Sequence, residues 1–295
     1  MKRTGFIAIV GRPNVGKSTL LNQMLGEKVA IVSNKPQTTR NRITGILTKG
    51  EDQFVFLDTP GMHNPKNSLG EFMVKAADST MREADAVVLV IDTGKEPSKV
   101  EESVIAYLKK SGIPAILALN KIDQYRREEL AETIQRYADL HSFTAFVPIC
   151  AKNGKNVDEL LEECSAFLSE SPWFFPEDMV TDQPERQMAA EIIREKILRT
   201  LNQEIPHGTA VVIEEFKDEG TLVRIRAEIF CEKASHKGII VGKGGASLKL
   251  IGSYAREDLE KLLGVKVYLN LWVKVKENWR ESAGTVSNFG YREEQ

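Results

Sequence analysis

The stretch with the clearest chemistry is Gly11-Arg12-Pro13-Asn14-Val15-Gly16-Lys17-Ser18, which matches GxxxxGK[ST] between an apolar run and a helix-compatible segment. A glycine-rich turn in that setting aims successive backbone N–H groups into one concavity. The helix start behind it adds partial positive charge, so the turn suits anionic oxygens. Lys17 is expected at the β- and γ-phosphates and Ser18 on Mg²⁺, with Asn14, Val15, Gly16 and Thr19 completing the cradle. A glycine turn with no ligand is the plain alternative, and the strand-to-helix context argues against it.

Asp58-Thr59-Pro60-Gly61 follows the apolar run at 54–57. A carboxylate at a strand end near such a loop suits a metal-holding aspartate acting through water. Gly61 would bring its N–H to the γ-phosphate with no Cβ in the way. Gln37-Thr38-Thr39-Arg40 lies between the first helix and the second strand. Thr39 is the expected closing ligand of the metal, and Thr38 is its alternative. The catalytic set is therefore Lys17, Thr39 and Gly61.

Asn120-Lys121-Ile122-Asp123 follows the strand-like run at 115–119 and has the form NKxD. Asp123 can accept hydrogen bonds from guanine N1–H and its 2-amino group. Adenine offers neither donor, and a site built on such bonds rejects the analogue lacking them by roughly 10⁴ or more. Asn120 is expected to contact the base edge and to brace the phosphate loop, while the Lys121 stem lies along the purine face. Cys150-Ala151-Lys152 comes after the next strand. There the Ala151 N–H is expected at guanine O6, and Cys150 stands where serine is usual. Each motif alone could be a turn, but four in this order point to guanine.

Met62 occupies the position where Ras-like switches carry a water-orienting glutamine. Its thioether cannot orient water by a strong hydrogen bond, so hydrolysis is expected to be slow or to use another device. His63 reads as a loop residue before a base, and Arg40 is the candidate for a finger supplied in the same chain.

Strand-like runs at 6–10, 43–48, 54–57, 86–91, 115–119 and 146–149 alternate with helical segments at 17–25, after Lys66, at 99–110 and at 127–140. Several of the runs are continuously apolar, as strands buried on both faces should be. A last helix is expected after Asn156, with Glu159 closing a capping box. The pattern predicts an α/β domain with a mostly parallel sheet and helices on both faces. It breaks at Ser171-Pro172-Trp173-Phe174-Phe175-Pro176, which reads as a packed linker. A helix carrying Met188, Ile192, Ile193, Ile197 and Leu201 follows. Strands near 209–215, 222–231 and 265–275 then build a smaller α+β unit. The expected division is 1–170, a linker at 171–183, a second domain at 184–280 and a tail at 281–295.

In that second unit, Gly242-Lys243-Gly244-Gly245 forms GxxG between two helical segments. Between Lys233 and Arg256 the basic residues Lys233, Lys237, Lys243, Lys249 and Arg256 occur with no acidic one. KH domains clamp a single-stranded backbone against such a loop. Lys237, Gly242, Lys243, Gly244, Gly245 and Lys249 are the expected RNA contacts, with Ile239, Ile240, Val241, Leu248 and Ile251 as a groove floor. A bare helix–helix turn and a solvated basic face are the alternatives. Trp272 lies in a strand and is assigned to the core, Trp279 is weighed with it for base stacking, and Trp173 to Phe175 are assigned to linker packing.

The chain has 295 residues, 42% of them hydrophobic and 28% charged, with a net charge of −2, which is ordinary for a folded protein. No apolar run approaches the roughly 20 residues of a membrane span. The Phe6–Val10 run is too short for a signal-peptide core. Cys150, Cys164 and Cys231 form no CxxC pair, so neither a disulfide framework nor a zinc site is expected, and a cytoplasmic setting fits.

GRPNVGKS, QTTR, DTPG, NKID and the variant CAK, followed by AAEIIREKI and LWVKVKENW, resemble the Era family over nearly the whole chain. The resemblance implies a P-loop GTPase domain followed by a type II KH domain, with GTP, GDP and Mg²⁺ as ligands. It implies binding of the 3′ end of 16S ribosomal RNA and a role in 30S subunit assembly. A monomer is expected, with some peripheral contact at the inner face of the cell membrane. In relatives sharing the loop asparagine, that residue helps hold K⁺, which makes Asn14 the K⁺ candidate. The alternatives are a GTP-holding module without useful turnover and a membrane-associated regulatory GTPase.

Overall fold

The computed structural model describes residues 1–292 except Pro36, His63, Asn64, Gln203 and Glu204; His63, weighed above, lies outside the described residues. The chain divides into two compact units. The first holds Met1–Val32, Thr39–Pro65 and Met73–Asp182, and the second holds Ser33–Thr38, Lys66–Phe72 and Gln183–Gln295.

The first unit contains β1 (Arg3–Val10), α1 (Lys17–Leu25), β2 (Ile43–Lys49), β3 (Asp52–Asp58), α2 (Ser68–Glu83) from Met73 onward, β4 (Ala86–Asp92) and α3 (Lys99–Ser111). There follow β5 (Ala115–Asn120), α4 (Arg127–Leu140), β6 (Ala145–Pro148), α5 (Val157–Ser165) and the short β7 (Ser169–Glu170). The sheet order is β2-β3-β1-β4-β5-β6, and β7 pairs antiparallel with β1. β2 pairs antiparallel with β3, and β1–β3, β1–β4, β4–β5 and β5–β6 are parallel. Strand β4 is buried throughout, as its unbroken apolar run requires.

Two cores sandwich this sheet. Leu20 and Leu21 of α1 and Leu160 of α5 pack with Ile7 and Ile9 on one face. Met81 of α2, Val104 of α3 and Tyr137 of α4 pack with Ala8 and Val10 on the other. β3 lies on one side of β1 and β4 on the other, so the strand order reverses there. Loops leaving the C-terminal strand ends at such a switch point meet in one crevice. In the 171–182 stretch of this unit, Phe174 stacks on Phe6 at 5.1 Å, and the Trp173 Nε1–H donates to the Glu51 carbonyl at 3.1 Å.

The expected capping box at Asn156 does not form. Asn156 is the N-cap residue of α5 but adopts a left-handed φ of 58° with no side-chain cap bond. Its Nδ2–H instead donates to the Pro148 carbonyl at 2.7 Å, holding the loop after β6.

The second unit contains α6 (Glu185–Thr200), β8 (Ala210–Asp218), β9 (Leu222–Cys231), α7 (Ala234–Val241), α8 (Ala246–Leu263), β10 (Lys266–Val275) and α9 (Ala283–Asn288). The sheet order is β10-β9-β8, with β8 antiparallel and β10 parallel to β9. Alternate residues Val223, Ile225, Ala227 and Ile229 of β9 join Ile193 and Ile197 of α6 and Ala255 and Leu259 of α8 in its core. Among the described residues, no helix is long and apolar enough to cross a membrane.

Candidate functional site

The turn from β1 into α1 is shaped by two glycines. Gly11 has φ 149° and Gly16 has φ 104°. A Cβ on Gly11 would lie 2.3 Å from the Val90 carbonyl oxygen, and one on Gly16 would lie 2.3 Å from Asn120 Nδ2. The Lys17 ammonium folds back over this turn, donating to the carbonyls of Gly11 at 3.1 Å and Arg12 at 3.0 Å. Arg12 is anchored outward by Glu101 of α3 at 2.8 Å, a partner that sequence spacing did not reveal.

Three side-chain oxygens converge beside Lys17. Ser18 Oγ donates to Asp58 Oδ2 at 2.6 Å and lies 2.8 Å from Thr39 Oγ1. Thr38 is occupied elsewhere, its hydroxyl donating to the Lys35 carbonyl at 2.6 Å. Asp58 and Thr39 are buried. Asp58 Oδ1 is buried with no hydrogen-bond partner among the described residues. Burial pushes the Asp58 carboxyl up to about 6, against the opposing pull of Lys17. Burial also pulls the Lys17 ammonium down to about 8, with Asp58 opposing. An orphaned carboxylate oxygen among hydroxyls is the donor set a hard divalent cation takes, so these residues fit Mg²⁺.

Gly61 has a reason to be glycine beyond the one expected. A Cβ there would lie 2.8 Å from Pro13 Cα and N, so the turn after β3 abuts the phosphate-type loop. The Met62 N–H donates to the Gly11 carbonyl at 3.3 Å, and its side chain packs on the apolar cluster behind the sheet. Arg40 is buried at 1% exposure, and Asn14 is exposed on the loop at φ 64°.

Asn120 at the end of β5 ties the remaining motifs together. Its Nδ2–H donates to the Val15 carbonyl at 2.7 Å, and its Oδ1 accepts from the N–H of Ala151 at 2.9 Å and of Lys121 at 2.8 Å. The amide is thus spent on bracing three loops rather than turned to a base edge. Lys121 has φ 67°, and its ammonium pairs with Asp92 at 3.1 Å, which lays out its stem. The Cys150 thiol donates to Asp123 Oδ1 at 3.2 Å, so the variant cysteine orients the carboxylate. Asp92 was missed in the sequence. It closes β4 and also pairs with Lys95 and accepts from the Tyr125 hydroxyl. Thr19, Ala151 and Lys152 line an adjoining cavity of about 270 Å³ with Asn22 and Gln23.

In the second unit, α7 ends at Gly242 and a single 3₁₀ turn, Lys243–Gly245, leads into α8. Gly242, Gly244 and Gly245 all have positive φ. A Cβ on Gly242 would lie 2.8 Å from Ser247 Cβ, while Gly244 and Gly245 face open space. Lys237, Lys243 and Lys249 are exposed. A groove of about 490 Å³ beside this turn is lined by Gly245, Leu248, Lys249, Arg256, Leu269 and Leu271, among others. The expected floor is therefore corrected. Ile240 and Ile251 are fully buried core residues and Ile239 is exposed, whereas Leu269 and Leu271 of β10 supply the apolar wall. The tryptophans are also corrected. Trp272 is 59% exposed, because β10 turns it away from the helices, and Trp279 is fully buried with its N–H on the Gly208 carbonyl.

A mostly parallel α/β sheet with this loop set, followed by an α+β unit bearing GxxG, defines a P-loop GTPase joined to a KH domain. Residues 6–121 match the family model described as 50S ribosome-binding GTPase, and residues 204–280 match that of the KH domain. The chain belongs to the GTPase Era family. It is 51% identical to GTPase Era of Clostridioides difficile strain 630, covering 99% of this chain and 100% of that one. It is 50% identical to GTPase Era of Alkaliphilus metalliredigens, covering 98% and 99%. Among solved structures it resembles Era in complex with MgGDPNP and nucleotides 1506–1542 of 16S ribosomal RNA, with TM-score 0.95 and 41% identity over 99% of both chains. It also resembles an Aquifex aeolicus Era variant bound to GDP·AlF4⁻, with TM-score 0.94 and 42% identity over 98% and 99%. The chain is accordingly a GTPase that uses GTP, GDP and Mg²⁺.

Proposed function

We propose that this chain couples GTP hydrolysis to the capture of the 3′ end of 16S ribosomal RNA during 30S subunit assembly in the cytoplasm. The observation that carries the reading is the meeting of Lys17, Ser18, Thr39 and Asp58 at one end of the sheet whose neighbouring loop holds Asp123. Lys17 exchanges its loop carbonyls for β- and γ-phosphate oxygens. Ser18, Thr39 and Asp58 would hold Mg²⁺, which would supply positive charge to the same phosphate oxygens. The Gly61 N–H meets the γ-phosphate. Asp123 reads N1–H and the 2-amino group of guanine, the Ala151 N–H faces O6, and Lys121 and Lys152 flank the base. Water attacks the γ-phosphorus and the bond to the β–γ bridge oxygen breaks, leaving GDP and phosphate.

Met62 offers no water-orienting group, so positive charge near the bridge oxygen is the remaining device. Asn14 supports K⁺ there, and replacing K⁺ by Na⁺ should slow hydrolysis without changing GTP affinity. In the KH domain, Lys237, Lys243 and Lys249 meet phosphates, and the loop from Gly242 to Gly245 allows close approach of the RNA backbone. Phosphate release measured with and without 16S 3′-end RNA tests the coupling. The reading expects faster release with RNA and none from Lys17→Ala; RNA-independent release equal to that of Lys17→Ala would refute it.

A further inference from the structure

On the outer face of the β8–β10 sheet, Phe289 stacks on Phe230 of β9 at 4.4 Å, while the β10 side carries exposed aromatics. The inward residues of β10, among them Leu269 and Leu271, face α8, so the alternating Tyr268, Asn270, Trp272 and Lys274 face outward. Tyr268 is 53% exposed and Trp272 is 59% exposed. Trp279 is buried with its indole N–H on the Gly208 carbonyl, whereas the Trp272 indole stands exposed on the sheet. On the paired strand, Arg224 lies opposite Tyr268 and Arg226 opposite Asn270. The Arg224 guanidinium stands 5.4 Å from the Tyr268 ring centroid. Tyr268 and Trp272 are four residues apart on one face, about 13 Å along the strand.

We infer that this face is a second RNA-contact surface, where Tyr268 and Trp272 stack on bases of the strand that leaves the GxxG groove. The inference rests on the groove reading above. The groove and the outer face meet at β10. β10 is an edge strand, and its inward residues Leu269 and Leu271 line the groove. A strand passing over that edge meets the outward residues of the same β10 next. Exposed aromatics on a sheet face are the platform on which single-stranded bases stack without sequence preference. Charge contributes little here. Lys217 and Arg224 pair with Glu219, Lys266 with Glu260 and Lys274 with Glu228, and Glu215 stands opposite Arg226. The contact is therefore one of stacking, with a weak dependence on salt.

The test uses the full chain and two oligonucleotides from the 3′ end of 16S ribosomal RNA. One is about six nucleotides long, enough to fill the groove, and the other carries the same core extended to about twelve. Trp272→Ala and Tyr268→Ala should each weaken the longer RNA about tenfold and leave the shorter one unchanged. Trp272→Phe should restore most of the loss, and the salt slope should be that of the wild type. Equal affinity of wild type and Trp272→Ala for the longer RNA overturns the inference, and so does an equal loss on both RNAs. Gly244→Asp reports the groove separately. If it leaves the short RNA bound, the groove reading has failed, while the Trp272 comparison on the longer RNA still judges the stacking surface.

Discussion

Asn120 Nδ2 donates to the Val15 carbonyl at 2.7 Å, so the loop expected to read the base holds the loop expected to hold phosphate. The same amide oxygen accepts from Ala151. Asn120→Ala leaves the Val15 carbonyl and the Ala151 N–H buried without partners. It should destabilise the ligand-free protein by about 2–4 kcal/mol, seen as a lowered urea midpoint, and abolish GTP binding with it. Gly16→Val should act through the same contact, because its Cβ would fall 2.3 Å from Asn120 Nδ2 at an already left-handed φ. An Asn120→Ala protein with wild-type stability would contradict the bracing role.

Lys17 and Asp58 give a proton signature. The Lys17 pKa is lowered to about 8, so between there and its ordinary value the unfolded chain holds more protons and stability rises with pH. The Asp58 pKa is raised to about 6, so from its ordinary value up to there the folded protein holds more protons and stability falls as pH rises. Phosphate beside the ammonium restores its affinity for the proton, and metal beside the carboxyl removes its proton. GTP binding at pH 8.5 should take up protons, and Mg²⁺ binding near pH 6 should release them. Calorimetry in two buffers of different ionisation enthalpy reads both; heats independent of buffer would rule the account out.

Cys150 orients Asp123 through its thiol. Cys150→Ser keeps a donor and makes a stronger bond to the carboxylate, so GTP affinity should stay level or improve slightly. Cys150→Val removes the donor and should weaken GTP about three- to tenfold, near 1 kcal/mol. Competition binding against GDP would show it, and identical affinities for the serine and valine variants would deny the thiol any part.

The glycines of GxxG divide by role. Gly242→Ala places a Cβ 2.8 Å from Ser247 at φ 75° and should cost about 1–2 kcal/mol of stability. Gly244 faces open space at φ 60°, a conformation aspartate tolerates, so Gly244→Asp should fold and lose RNA by charge repulsion. Thermal melts and RNA titrations of the two variants should diverge in these opposite directions.

The sequence carried the contiguous motifs well, because a strand, a tight turn and a helix start confine the chemistry to neighbouring residues. Gly11 to Ser18, Asp58 and Asn120 to Asp123 were legible for that reason. Contacts set by tertiary packing were not. Arg12 with Glu101, and Asp92 with Lys121, join residues far apart in the chain. Asn156 had the right type for a cap, but its left-handed backbone sent the amide to Pro148. Trp272 and Ile251 were misjudged because strand and helix periodicity fixes alternation without saying which face is covered. The packing of Met62 on the core could be known only from the fold.

The most direct test of the central claim is the ratio of GTP to ATP affinity in the wild type and in Asp123→Asn. The account predicts a wild-type ratio of roughly 10⁴ or more that collapses by at least about a hundredfold in the variant. A ratio that survives the substitution would mean that Asp123 does not face the base.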